Sequence, residues 1–319
     1  MSQTIPDKIK AELQKQGYRL VGNHSAIKIC LWCKNAIRGK GECYKHDFYG
    51  IQSHRCIQMS CSLANCSNKC LHCWRDMAFT LNEQIKNPDN PKDIVDNCIR
   101  MQREILQGFK GNPKINKQRL DEAMQPLHFA ISLAGEAFFY PKLSELLKEI
   151  HKRGMTSFLV SNGQLPEKIS ELIKKKILPT QFYISLNAPN KAVYEKMCKP
   201  MLKDAWQRFN KSLGLMRKIK TRKVLRMTLV RNLNMIEPEN YAKLIRKAAP
   251  DWVEVKAFMS VGSSRQRLAY DRMPLHPEVR EFAGKIAKHA GLKILNEKKE
   301  SRVVLLGKSR KNLKLKFKD

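Results

Sequence analysis

The sequence predicts an α/β protein: an incomplete (β/α)6 barrel of the TIM-like kind with a cysteine-bearing N-terminal extension. Apolar, β-rich runs at 57–63, 127–133, 157–160, 182–186, 224–230 and 252–257 alternate with amphipathic helical patterns. Such alternation implies parallel βα units. Polar residues also follow several of the runs, where a barrel places its site, at the C-terminal ends of the strands. An open doubly wound sheet fits the alternation nearly as well.

The elements follow in order. Residues 1–56 form the extension, with a helix expected over 6–16, where Ile9 and Leu13 lie four apart and Gly17 is the stop. The first strand, 57–63, leads into a cysteine cluster. Pro88, Asp89, Asn90 and Pro91 mark a loop, and 111–117 marks a second. Helices are expected over 140–153, 167–176, 192–218 and 238–249. The barrel is placed at 57–300 and a basic tail at 301–319. In that tail Lys308, Arg310, Lys311, Lys314, Lys316 and Lys318 stand against Asp319 alone. It reads as a solvated end or as an arm contacting backbone phosphates.

Hydrophobic residues make up 42% of the 319 residues, and no run approaches the roughly 18 apolar residues of a membrane span. Residues 1–10 carry charges where a signal peptide would be apolar. A cytoplasmic protein without membrane contact is expected. The formal net charge of +32 repels itself in a compact state unless a polyanion is at hand, and basic side chains displace counterions from nucleic-acid phosphates.

Of ten cysteines, seven fall between Cys30 and Cys70, and Cys73 follows. In a reducing compartment clustered thiols point to metal. Residues 66–73 read Cys-Ser-Asn-Lys-Cys-Leu-His-Cys. A 4Fe–4S cluster with a full set of protein ligands takes four thiolates. Cys66, Cys70 and Cys73 would leave one iron open to chelate the amino and carboxylate groups of S-adenosylmethionine. Structural zinc on Cys30, Cys33, Cys70 and Cys73 is the rival, and it leaves Cys66 idle. Cys30, Cys43 and Cys56 are each separated by twelve residues, a spacing that suits a second three-ligand cluster, with Cys33 and Cys61 as rival ligands. Cys98 and Cys198 read as buried thiols. Lys45 lies two residues from Cys43, where desolvation would make an amine nucleophilic.

The spacing of residues 66–73 resembles the signature of the radical S-adenosylmethionine superfamily, with His72 where an aromatic residue usually stands. The resemblance continues through Leu133-Ala134-Gly135-Glu136, Ser161-Asn162-Gly163 and Ser185-Leu186-Asn187. It implies cofactor contacts from His72, Gly135, Glu136, Asn162, Ser185 and Asn187. Two triplets in this order, with residues 41–45, 73–75, 226–235 and 255–265, resemble the tRNA 4-demethylwyosine synthases in their stand-alone form. That family implies two [4Fe–4S] clusters and S-adenosylmethionine. Its substrates are phenylalanine tRNA bearing N1-methylguanosine beside the anticodon, and pyruvate. A separate flavodoxin- or ferredoxin-type donor supplies electrons. A deoxyadenosyl radical takes hydrogen from the N1-methyl group, and the resulting radical attacks pyruvate held by Lys45 as a Schiff base. Arg75, Arg265 and Arg267 are candidate tRNA contacts. The alternatives are a radical methylthiotransferase with an auxiliary cluster and a zinc-bearing RNA-binding protein.

Overall fold

The computed structural model describes residues 5–317, so Lys318 and Asp319 of the basic tail lie outside the described residues. Two compact units divide the chain. The first runs to Cys66 and includes Leu81–Leu159 and the chain from Lys314; the second holds Ser67–Thr80 and Val160–Leu313.

The first unit opens with α1 (Asp7–Lys15), which buries Leu13 and stops ahead of the left-handed Gly17. A short hairpin follows, β1 (Arg19–Val21) and β2 (Ser25–Ile27), then α2 (Leu31–Ile37), α3 (Tyr44–Tyr49) and β3 (Cys56–Ser60). Helix α4 (Pro91–Gln107) starts where Asn90 Oδ1 accepts the Lys92 N–H and Pro91 fills the first turn. The Pro88–Pro91 loop is thus also a helix-start signal. Helix α5 (Lys117–Ala123), β4 (His128–Ile131), α6 (Leu143–Lys152) and the first four residues of β5 (Thr156–Ser161) complete the unit. Strands β3, β4 and β5 run parallel, with Cys56 beside His128 and His128 beside Thr156. On its other side β3 pairs antiparallel with β2.

The second unit contains α7 (Pro166–Lys175), β6 (Gln181–Ser185), α8 (Lys191–Cys198), α9 (Ala205–Met216), β7 (Arg222–Leu229), α10 (Pro238–Ala248), β8 (Trp252–Ala257), α11 (His276–Ala290), β9 (Lys293–Lys298) and β10 (Val303–Gly307). Strands β6, β7 and β8 are parallel. Both parallel sets match the alternation of the sequence. Antiparallel β10 lies against β8, as β2 does against β3, so the described strands do not close a barrel.

Two expectations need correction. The single helix over 192–218 is two, α8 and α9. Lys199 turns left-handed at φ 42° and Pro200 cannot continue the helix. Val303–Gly307, within the stretch expected as tail, is a fully buried strand, which leaves the basic run from Lys308 as the sequence placed it.

Candidate active site

Each cysteine of the twelve-residue series begins an element. Cys30 caps α2 and its Sγ accepts the Cys33 N–H at 3.3 Å. Cys43 precedes α3 and donates its N–H to Ser53 Oγ at 3.0 Å. Cys56 opens β3. The spacing follows from this succession of two helix starts and a strand start, which turns three thiols toward common ground. Burial pushes the Cys56 thiol far up. Cys30 raises it further, Lys45 pulls it down, and Cys43 adds to the rise. The rival ligands are held in the interior. The Cys33 thiol donates to the His54 carbonyl at 3.5 Å and that of Cys61 to the Ala137 carbonyl at 3.8 Å. Burial raises both, Cys61 to about 12.

Lys45 is 7% exposed. Helix α3 sets its Nζ 4.9 Å from the centroid of the Phe158 ring, and its charge lowers the Cys30 and Cys56 thiols against burial. His128, on β4, is pushed down to about 3, first by burial and then by Arg55, His54 and Lys45. It is neutral at pH 7. Its Nε2 accepts the Gln52 N–H at 3.1 Å, and Nδ1 lies 2.7 Å from Thr156 Oγ1.

The turn after β4 is fastened to the residues just ahead of Cys66. Ser60 Oγ donates to the Ala134 carbonyl at 2.6 Å, Ser62 Oγ to that of Glu136 at 2.7 Å, and Glu136 N–H to that of Asn65 at 2.7 Å. Gly135 sits at φ 72°, and a Cβ there would stand 1.8 Å from the Ser62 carbonyl oxygen; only glycine fits. The Glu136 side chain is buried, with Oε1 accepting the Phe138 N–H at 3.4 Å. The Cys66 N–H donates to the Leu81 carbonyl at 2.9 Å.

In the second unit the loop after Cys66 is gripped from several sides. Lys69 and Leu71 donate to the carbonyls of Lys199 and Met197, and Met201 donates to that of Ser67. Arg267 donates to the carbonyls of Leu71 at 3.2 Å, Arg75 at 3.3 Å and Cys73. Arg75, 6% exposed, donates to the Phe79 carbonyl and to Thr80 Oγ1. Both guanidiniums tie down loop backbone, and both draw the Cys73 thiol downward against burial. Arg265 is exposed, with Nε donating to the Ser260 carbonyl at 3.0 Å.

His72 is held at about 4, by burial first and then by Arg226 and Arg267, so its ring is neutral at pH 7. Its Nε2 lies 3.5 Å from Asn187 Nδ2, and its buried Nδ1 has no hydrogen-bond partner among the described residues. Asn187 Oδ1 accepts the Thr228 N–H at 3.0 Å. Asn162 Nδ2 donates to Ser67 Oγ at 3.0 Å, which ties the end of β5 to the cysteine loop. Ser185 ends β6, beside Arg226 of β7.

The donor set fits iron–sulfur chemistry. The six cysteines of the two triplets are partly exposed, whereas Cys33, Cys61, Cys98 and Cys198 are buried. Among the described residues no three His, Cys, Asp or Glu side chains converge on one metal ion; a cubane cluster distributes its thiolates over separate irons. The unpartnered His72 nitrogen beside the loop suits a polar cofactor. Phe158 and Arg226 were not foreseen, because each acts through a neighbour that only the fold supplies.

A family described as the radical SAM superfamily matches residues 62–245, and one described as wyosine base formation matches residues 247–308. The S-adenosyl-L-methionine-dependent tRNA 4-demethylwyosine synthase of Pyrococcus abyssi is 47% identical over 95% of this chain and 89% of its own length. A solved structure of TYW1 with a lysine–pyruvate adduct bound superposes with a TM-score of 0.86 at 34% identity, covering 98% of this chain and 99% of that one. A crystal structure of archaeal TYW1 gives 0.78 at 32% identity, over 98% and 100%. These matches favour the reading the sequence suggested over a methylthiotransferase or a zinc-bearing RNA-binding protein.

Proposed function

The chain belongs to the tRNA 4-demethylwyosine synthase family of radical S-adenosylmethionine enzymes, and from that premise we propose that it condenses N1-methylguanosine beside the anticodon of phenylalanine tRNA with pyruvate. Cys66, Cys70 and Cys73 would hold the [4Fe–4S] cluster that such an enzyme uses with S-adenosylmethionine. Cys30, Cys43 and Cys56 would hold a second. With S-adenosylmethionine bound, a cluster held by these residues would supply the radical chemistry needed to take hydrogen from the N1-methyl group.

This chain's residues do the rest. Lys45 takes pyruvate as a Schiff base, and tethering keeps the acceptor in place during the short life of a carbon radical. Gly135 and Glu136 shape the contact to the methionine amino group. His72, Asn162, Ser185 and Asn187 line the cofactor's path at the strand ends. Trp74, 40% exposed, follows Cys73 in the loop. With the exposed Arg265 it offers a stacking face and a charge to an unstacked anticodon base. No described helix is long and apolar enough to cross a membrane. The reading places the enzyme in the cytoplasm, with a separate flavodoxin- or ferredoxin-type donor.

The observation that carries the proposal is the buried Lys45 over Phe158, its charge acting on the thiols of Cys30 and Cys56. The relative solved with a lysine–pyruvate adduct supports it. Borohydride reduction in the presence of labelled pyruvate should fix label on the peptide containing Lys45. Lys45→Ala should still cleave S-adenosylmethionine yet form no tricyclic base. Normal product from that variant would remove Lys45 from the mechanism.

A further inference from the structure

Cys198, at the end of α8, stands opposite Cys70. Residues 67–71 and 197–201 pair antiparallel. Lys69 N–H donates to the Lys199 carbonyl at 3.1 Å, Leu71 N–H to that of Met197 at 2.9 Å, and Met201 N–H to that of Ser67 at 2.8 Å. Asn68 bridges Pro200 in the same register. The hydrogen bonds join Lys69 to Lys199 and Leu71 to Met197, so Cys70 and Cys198 lie opposite each other between them. The Cys70 thiol is hydrogen-bonded to Cys198 and to the Asn68 side chain. Cys198 is 2% exposed and Asn68 4%.

We propose that Cys198 is a positioning residue for the first cluster: its S–H donates to the Cys70 sulfur and raises the cluster's reduction potential. The inference rests on reading Cys70 as an iron ligand. An iron-bound thiolate keeps lone pairs but no proton, so of two facing sulfurs only Cys198 can donate. A hydrogen bond into a ligand sulfur draws electron density from the cluster and favours its reduced, more negative form; such bonds are among the factors that set iron–sulfur potentials. The Asn68 amide acts in the same sense from within the loop. The donor is fixed by backbone pairing and shielded from water, which makes its effect steady. The break between α8 and α9 is what allows it: residues 199–201 can leave helical geometry and pair with the loop.

The test is a redox titration of the reconstituted enzyme, followed by electron paramagnetic resonance on the signal that changes when S-adenosylmethionine is added. Cys198→Ser keeps a donor and should hold that midpoint at or above the wild-type value. Cys198→Ala should move it to more negative potential at an unchanged iron content. Cys198→Val fills the space without a donor and should follow alanine, which guards against an effect of collapse. A wild-type midpoint in Cys198→Val with all iron present would overturn the proposal. Failure of the underlying ligand assignment looks different: Cys70→Ala would then retain the cofactor-sensitive signal.

Discussion

Lys45 stands over the face of Phe158, with Nζ 4.9 Å from the ring centroid. One residue comes from α3 and the other from β5, so the contact exists only once β3, β4 and β5 have paired in parallel. A desolvated cation–π contact contributes about 2 kcal/mol. The protonated Schiff base of a keto acid is also a cation on that nitrogen, so the ring serves the lysine before and after pyruvate binds. Phe158→Leu keeps the apolar bulk and removes the π-face. Pyruvate trapped by borohydride should fall by roughly tenfold, with S-adenosylmethionine cleavage close to wild type. Equal losses in both would mean that the ring only fills space.

Gly135→Ala tests the turn after β4. At φ 72°, with 1.8 Å between a Cβ and the Ser62 carbonyl oxygen, alanine cannot enter without moving backbone. Strain of this kind costs on the order of 1–3 kcal/mol. The shift is transmitted to the segment before Cys66 through the bonds that Glu136 makes to Ser62 and Asn65. The expected result is a folded protein with a lower melting temperature and S-adenosylmethionine binding weakened at least about tenfold, measured by equilibrium dialysis of the reconstituted enzyme.

The strands of the two parallel sets were legible because each is an apolar run of ordinary length between turn residues. The hairpin β1–β2 was not, since three residues per strand are too few to show a period. Strand β10 was absorbed into the tail because the basic run follows it directly. The spacing singled out six cysteines that the fold leaves partly exposed, with Cys30, Cys43 and Cys56 each at the start of an element, while Cys33, Cys61, Cys98 and Cys198 are buried. Arginine roles were illegible for a physical reason. Charge alone does not separate a guanidinium that binds loop carbonyls, as those of Arg75 and Arg267 do, from one that faces solvent, as that of Arg265 does. For Cys198 only its burial was legible; the neighbour it faces is set by how the cysteine loop lies against the end of α8.

The hairpin should loosen in acid through His24. Its Nδ1 lies 2.8 Å from the Cys61 carbonyl oxygen, and its Nε2 accepts the Asp89 N–H at 3.0 Å, the pattern of a neutral ring. Burial lowers its pKa from the ordinary 6.5, with Asp89 partly opposing. The unfolded chain therefore takes up the proton first. The contribution is complete above about pH 6.5 and is lost as pH falls toward the lower native value, by at most about 1.4 kcal/mol per unit. Amide exchange at Val21 and Ala26, corrected for intrinsic rates, should quicken between about pH 7 and about pH 5. His24→Gln should exchange faster at neutral pH and change little with acid. Equal pH dependence in the two proteins would exclude His24 as the source.

The basic tail separates a structural role from an RNA role. Lys314 Nζ donates to the carbonyls of His46 at 3.1 Å and Asp47 at 2.6 Å, and Leu315 N–H to that of Tyr49 at 2.9 Å. Phe317 places its ring 5.2 Å from that of His128. The bonds from Lys314 and Leu315 fall on the last turn of α3, the helix that carries Lys45, where carbonyls lack helical partners and a cation is favourable. A cation at a helix C-terminus contributes about 0.3–1 kcal/mol. Lys314→Ala should therefore lower the yield of trapped pyruvate about two- to fivefold while leaving tRNA affinity unchanged in fluorescence anisotropy. Were Lys314 a phosphate contact instead, affinity would weaken and its salt dependence would become shallower, by about one counterion in the slope. An unaltered pyruvate yield with weakened tRNA binding would thus return the tail to the arm that the sequence suggested.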